Sequence, residues 1–340
     1  VASSRRALRA AEGLDADSAA DELATLPSEA DPVGAVVETL GADSGADARL
    51  FLDCTASDAV AARYPELLRA GVSVVAANKK AFASGTHEEF EALLGAARDG
   101  GAELRFETTV GAGLPFLHTL SSLVATGDRL IRLDGVLSGT LNAVLDGLSA
   151  KVPFSRSLRQ AFEAGLTEPH PGDDLSGTDV QRKLCILGRL AGFPLDLERI
   201  QVEPLVPAEI CALPLESFWT RASELDEPLE ERRRAAEERG ERLRYLARLD
   251  ERGAARVALA SVGEEHAAHS LGGPDNLLAL VTERYSSETP LVVRGPGAGP
   301  AVTAAGVFAD LLDAVRVSAG RSAFEPNSPL SPPIRGTSQP

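Results

Sequence analysis

The 340-residue sequence predicts an α/β protein, a parallel sheet with crossover helices into which a separate α+β unit is inserted. Three observations carry this reading. Apolar β-branched runs alternate with helical patterns between residues 48 and 110. The rhythm changes from about residue 118. A strand, a glycine-rich turn and a helix then return together over 290–315.

The elements follow in order. "VASSRRALRAAEGL" (1–14) opens as if a strand has just ended, and 16–48 is acidic, alanine-rich helix and loop. "ARLFLDCTAS" (48–57) reads as a short buried strand ending in small polar residues. "DAVAARYPELLRAG" (58–71) has helical apolar spacing and a terminal glycine, and "VSVVAANKK" (72–80) is a second strand. "THEEFEALLGAARDGG" (86–101) is a helix with an acidic first turn and a glycine stop. "AELRFETTV" (102–110) returns to strand. In such sheets ligands bind at the carboxyl ends of the strands, here "DCTAS", "ANKK" and "ETTVGAGLP".

Beyond 118 the pattern predicts a strand at 129–139, then helices at 140–150 and 154–165. An acidic loop follows, and then a strongly amphipathic helix over 177–192. A solvated charged helix is expected at 220–242, a hairpin at 242–262, and a disordered tail at 319–340.

Composition narrows the function. A net charge of −16 argues against nucleic acid and against an anionic membrane surface. No apolar run reaches membrane-spanning length and no signal peptide opens the chain. Cys54, Cys185 and Cys211 are far apart and lack metal-ligand spacing, which points to a reducing cytoplasmic setting. The chain opens on Val1 and holds no methionine, so a fragment of a longer protein is expected. His87, His118, His170, His266 and His269 show no nucleophile spacing.

"TEPHPGDDLSGTDVQRK" (167–183) carries the chemistry. The chain has thirty arginines and four lysines, and three of the four (Lys79, Lys80 and Lys183) fall at candidate strand ends or in this motif. Asp179 and Lys183 are four apart and share a helix face. Lysine, unlike arginine, can exchange a proton near neutral pH when desolvated. Glu168, Asp173 and Asp174 lack a regular calcium-loop spacing. Recognition of a substrate ammonium and ordinary solvated loop charge both stay open at this point. "TTVGAGLP" (108–115) and "RGPGAGPAVTAAG" (294–306) are turns that let backbone approach a ligand.

With these runs stand "GVLSGTLN", "VEPLVPAE", "LRYLAR" and "VTAAGVFAD". Together, in this order, they resemble homoserine dehydrogenase. More specifically, they resemble the C-terminal dehydrogenase portion of bifunctional aspartokinase–homoserine dehydrogenases. The resemblance implies interconversion of L-homoserine and L-aspartate 4-semialdehyde with NADP or NAD, in threonine and methionine biosynthesis. It implies Lys183 and Lys79 at the reacting oxygen, with Asp179 one turn before the catalytic lysine. Glu168 and Asp174 would hold homoserine, beside a substrate-side loop of Ser138, Gly139 and Thr140. Arg5, Arg6, Thr55, Ala56, Lys79, Gly297 and Gly299 would meet the cofactor. Glu107, Val110, Ala112 and Leu114 would hold a monovalent cation, sodium or potassium.

The same resemblance implies a partial dinucleotide-binding domain over 1–118, a substrate and dimerisation domain over 119–289, and a return to the first domain over 290–318. The family's opening strand and G-x-G-x-x-G turn would lie before Val1. The expected fold is therefore an incomplete Rossmann-type sheet whose first βα unit is missing. A homodimer and an aspartokinase domain upstream in the parent chain are expected. The motif departs from the family's Asp-Pro-Arg at His170-Pro171-Gly172. Two alternatives are another amino-acid dehydrogenase on this scaffold and an inactive dimerisation fragment.

Overall fold

The computed structural model describes residues 1–10, 12–42 and 48–318. The expected tail 319–340 lies outside them. Two sheets organise the chain. The smaller is parallel, with β1 (Leu50–Asp53), β2 (Ser73–Ala76) and β3 (Leu104–Arg105) in that spatial order. β2 is buried along its whole length because it is central and covered on both faces. β1 is less buried than its apolar run implies. It lies at an edge among the described residues and leaves Leu52 exposed.

The crossover helices follow local chemistry. His87–Gly100 opens on a reciprocal cap in which the Thr86 hydroxyl accepts the Glu89 N–H and the Glu89 carboxylate accepts the Thr86 N–H. It stops at Gly101, which takes the left-handed conformation. The helix expected over 58–71 divides into Asp58–Ala61 and Tyr64–Arg69. Pro65 has no N–H to continue the first helix and sits instead in the opening turn of the second.

The strand expected over 102–110 shortens to two residues and gives way to a 3₁₀ turn, Glu107–Thr109. The cause is Glu107. Its N–H donates to Asp310 at 3.0 Å, and its carboxylate accepts the N–H groups of Leu117 and His118 at 2.7 and 2.8 Å. Capping the helix Phe116–Ala125 draws the chain out of the ladder.

The larger sheet holds six strands in the order β5-β7-β6-β4-β8-β9. These are β4 (Leu130–Val136), β5 (Ile200–Val202), β6 (Arg242–Asp250), β7 (Ala255–Val262), β8 (Asp275–Thr282) and β9 (Leu291–Pro296). All pairs are antiparallel except β5 with β7. The expected hairpin is β6 and β7. Leu133, Tyr245, Leu249, Val257 and Leu278 share a core with residues of the helices Gly139–Ser149 and Thr178–Leu190. Behind the sheet, buried Arg244 donates to the Ala268 and Leu271 carbonyls and so ties down the loop before β8.

Two further expectations change. The acidic loop contains a short helix, Pro171–Leu175, capped by the His170 ring, which accepts the Gly172 N–H. A Cβ at Gly172 would overlap the Cys211 carbonyl, so this backbone leaves no room for a larger residue there. The charged helix expected over 220–242 breaks into Leu215–Ala222 and Asp226–Glu237. The second of these buries Leu229, Arg233 and Ala236.

The return segment divides between the sheets. β9 pairs with β8 in the larger sheet. The following helix, Pro300–Ser318, packs against β2, β3 and the 3₁₀ turn. Gly297–Gly299 therefore cross from one sheet to the other.

Candidate active site

A cavity of about 860 Å³ opens where the carboxyl end of β2 faces the larger unit. That volume suits a small polar substrate together with part of a cofactor. Helix Thr178–Leu190 supplies its floor. Val180, Leu184 and Leu187 are buried against the larger sheet, which leaves Asp179 and Lys183 toward the cavity. Gly177 starts this helix at φ 76°, where a Cβ would overlap the Tyr245 hydroxyl. Gly177→Ala should therefore lower stability by about 2–4 kcal/mol, combining left-handed strain with overpacking, as read from the urea unfolding midpoint.

One carboxylate joins two lysines. Asp179 lies 2.8 Å from the Lys183 ammonium and 3.3 Å from that of Lys79. Burial would raise the Asp179 pKa, but the two ammonium groups outweigh it and hold the carboxyl well below its usual range. The Lys183 ammonium also donates to the Leu137 carbonyl at 2.7 Å. Two of its three N–H bonds are thus occupied, and the third is left for a ligand. Lys80 turns away to pair with Asp58 at 3.1 Å and does not line the cavity.

Two further acids line the same cavity. The Glu168 N–H donates to the Asp174 carboxylate at 2.8 Å, which brings both acids to one place. Burial pushes the Asp174 carboxyl up to about 6, with the charges of Glu168 and Asp179 adding to it. Glu168 is exposed toward the opening. Ser138 caps the helix Gly139–Ser149 by accepting the Leu141 N–H. A Cβ on Gly139 would lie 2.7 Å from the Pro274 carbonyl. The Thr140 hydroxyl donates to the Leu166 carbonyl. All three line the cavity.

Gly297 and Gly299 complete the rim. At Gly297 a Cβ would overlap the buried Asn276 amide, and Gly299 takes φ 121°. Of the residues expected around a cation, only Ala112, with φ 52°, lines the cavity. Glu107 lies behind it, and burial raises its carboxyl to about 7 despite the backbone N–H groups it accepts. Val110 is buried and Leu114 half-buried. Thr55 and Ala56 are exposed after β1, Arg5 is exposed and Arg6 half-buried, and none of these four lines the cavity.

Sequence reasoning missed three features. Buried Asp53, at the end of β1, accepts from the Tyr64 hydroxyl and the Asn78 amide at 2.6 and 2.9 Å, which fixes the residue before Lys79. Arg182 and Thr303 also line the cavity. The position of Arg182 beside Lys183 was the available signal for it, obscured by the abundance of arginine.

Comparison with known proteins gives the family to which the chain is similar. Residues 4–107 match the family model "Homoserine dehydrogenase, NAD binding domain", and residues 115–312 match "Homoserine dehydrogenase". A bifunctional aspartokinase/homoserine dehydrogenase from Zea mays is 40% identical over 84% of this chain and 32% of its own length. The chain thus spans about a third of the bifunctional relatives it matches. The homoserine dehydrogenase of Emericella nidulans is 40% identical over 78% of this chain and 75% of its own. A crystal structure of a Candida auris protein of unknown function superposes with a TM-score of 0.84. It is 32% identical and covers 92% of this chain and 88% of that one.

Proposed function

The chain belongs to the homoserine dehydrogenase family, and we propose that its cavity interconverts L-homoserine and L-aspartate 4-semialdehyde with NADP or NAD. The observation that carries this is the single Asp179 carboxylate joining Lys79 and Lys183 in the same cavity as the Glu168–Asp174 pair. An amino alcohol needs acids for its ammonium and a proton carrier for its hydroxyl. Glu168 and Asp174 hold the ammonium. In the direction of reduction the Lys183 ammonium donates its free N–H to the aldehyde oxygen and releases that proton as the oxygen becomes a hydroxyl. In oxidation the proton returns to Lys183. Asp179 keeps the Lys183 and Lys79 side chains in place.

The backbone fits the nicotinamide end of a dinucleotide. Gly297 and Gly299 carry no side chain that would fill the rim between Thr108, Thr303 and Lys79. These residues would hold that group, which would supply the hydride chemistry at the carbinol carbon. Thr55 and Ala56, just after the edge strand β1, and Arg5 and Arg6 are the proposed contacts for its adenosine end. We read the smaller sheet as part of a Rossmann-type domain over 1–118 with the larger unit over 119–289; of the expected return segment 290–318, β9 stays with the larger sheet and the helix Pro300–Ser318 rejoins the smaller one. A monovalent cation, sodium or potassium, suits Glu107 and the carbonyls of Val110, Ala112 and Leu114. There a buried carboxylate of raised proton affinity would gain a counter-charge. The same reading extends to a cytoplasmic homodimer built on the larger sheet and to an aspartokinase domain linked to it. Among the described residues no helix is long and apolar enough to cross a membrane.

The test is homoserine-dependent reduction of NADP or NAD, followed by absorbance. Absence of turnover and of homoserine binding in folded protein would overturn the reading. A pH effect follows from Asp174. Above about 6 its carboxyl is ionised and holds the ammonium, and as pH falls through that value it takes up a proton. The Michaelis constant for homoserine should then rise by up to about tenfold per pH unit below 6, and Asp174→Asn should remove that dependence. A constant that is flat from pH 7 to 5 would contradict the assignment.

A further inference from the structure

Arg189 stands near the end of the helix that carries Asp179 and Lys183, outside the cavity, with its side chain fully buried. A guanidinium keeps its charge, so burying one is costly unless its donors are met. Four hydrogen bonds meet them here. Nε donates to the Leu195 carbonyl and one terminal nitrogen to the Phe82 carbonyl, both at 2.8 Å. The other terminal nitrogen donates to the Gly85 carbonyl at 2.5 Å and to the Asp196 carboxylate at 3.0 Å. Asp196 in turn accepts the His87 N–H at 2.7 Å. Leu195 and Asp196 follow the helix itself, whereas Phe82, Gly85 and His87 belong to the smaller unit. The fork thus fastens the two units together behind the cavity.

Phe82 is one turn from Lys79. The Phe82 and Ala83 N–H groups both donate to the Lys79 carbonyl at 3.1 Å. The Phe82 ring is buried and stacks on Phe106 with centroids 4.1 Å apart, so this turn moves with the body of the smaller unit. Asp179 and Arg189 are separated by about 15 Å along their helix. The smaller unit therefore meets that helix at two points. The forward one, Lys79 with Asp179 at 3.3 Å, is reached by solvent on both sides, and such a pair holds weakly. The rear one is dry, and its bonds come from a charged donor. Asp179 aims the Lys79 ammonium, but the backbone from which Lys79 reaches is set by the stronger contact.

We infer that Arg189 is a positioning residue for the reaction, fixing where Lys79 stands relative to Lys183. The inference rests on the reading of these two lysines as the pair at the reacting oxygen. Arg189 touches neither substrate nor cofactor. It acts through the Phe82 carbonyl and the helix Lys80–Ala83. The planar fork matters as much as the charge, because only a guanidinium reaches Phe82, Gly85 and Asp196 at once.

The experiment makes Arg189→Met and Arg189→Lys, each alone and combined with Lys79→Ala. Thermal melts establish folding, and single turnovers of homoserine with enzyme in excess keep slow variants measurable. Arg189→Met should slow turnover by about 10- to 100-fold, the scale of a misplacement of about 1 Å. Arg189→Lys should recover little of that loss. In the Lys79→Ala protein the methionine change should cost less than about threefold, because the residue it positions is gone. A full loss in both backgrounds overturns the proposal by showing general structural support. An Arg189→Met rate within about threefold of wild type overturns it, and so does a Lys79→Ala rate equal to wild type, since nothing would then depend on where Lys79 stands. If Arg189→Met does not fold, Asp196→Asn decides by the same comparison, its side chain being 32% exposed. A loss of about 3- to 10-fold that disappears with Lys79→Ala supports the proposal. No loss, or the same loss in both backgrounds, overturns it. A wild type that neither binds nor oxidises homoserine overturns the parent reading and this one with it.

Discussion

Replacing Lys183 with alanine should lower kcat by about 100- to 10,000-fold, the range associated with a positioned proton carrier. The loss should fall on kcat more than on the Michaelis constant, because the ammonium matters most as the oxygen changes charge. Folding should survive. The side chain is mostly buried, but its departure removes one bond to the Leu137 carbonyl and one ion pair, with the helix still held by Val180, Leu184 and Leu187. Stopped-flow single turnovers, with circular dichroism to check the fold, would read both. If kcat stays within about threefold of wild type, the proton passes elsewhere.

Asp179→Asn should cost about 100-fold in kcat, for a related reason. The amide preserves the shape but removes the charge that both Lys79 and Lys183 face. Two ammonium groups then stand near one another without compensation, and Lys183 swings from its place. Because the aspartate acts through the lysine, the two substitutions should not add. In the absence of Lys183, removing Asp179 should change kcat by less than about threefold. Full additivity would mean that Asp179 touches the substrate independently. The result would also report on Lys79, which comes from the end of β2 and reaches this carboxylate across the cleft.

Much of this site was legible in the sequence because its signals were local. The i, i+4 spacing of Asp179 and Lys183 placed both on one face, and the scarcity of lysine marked which cations were unusual. The same scarcity flagged Lys80, which pairs with Asp58 instead. Only the helix Lys80–Ala83 decides which of two adjacent lysines points inward. The short β3 was illegible for a different reason. Its ladder competes with a hydrogen bond from the Glu107 N–H to Asp310, and no local pattern records a partner 203 residues away. Arg182 was hidden by its own chemistry, one guanidinium among thirty. The break at Pro65 could have been read from the proline alone.

The path of the return segment has a consequence for how this chain folds during synthesis. β9 closes the larger sheet and the helix Pro300–Ser318 covers the smaller one, so both await residues from the far end of the described chain. The unit built on the smaller sheet leaves the ribosome ahead of them, with one face of β2 bare. Such sequence-distant contacts slow folding and leave apolar surface waiting for its cover. A stop placed before Leu291 would spoil both units together. A chaperone dependence that persists until the last helix emerges is the expected signature in cells.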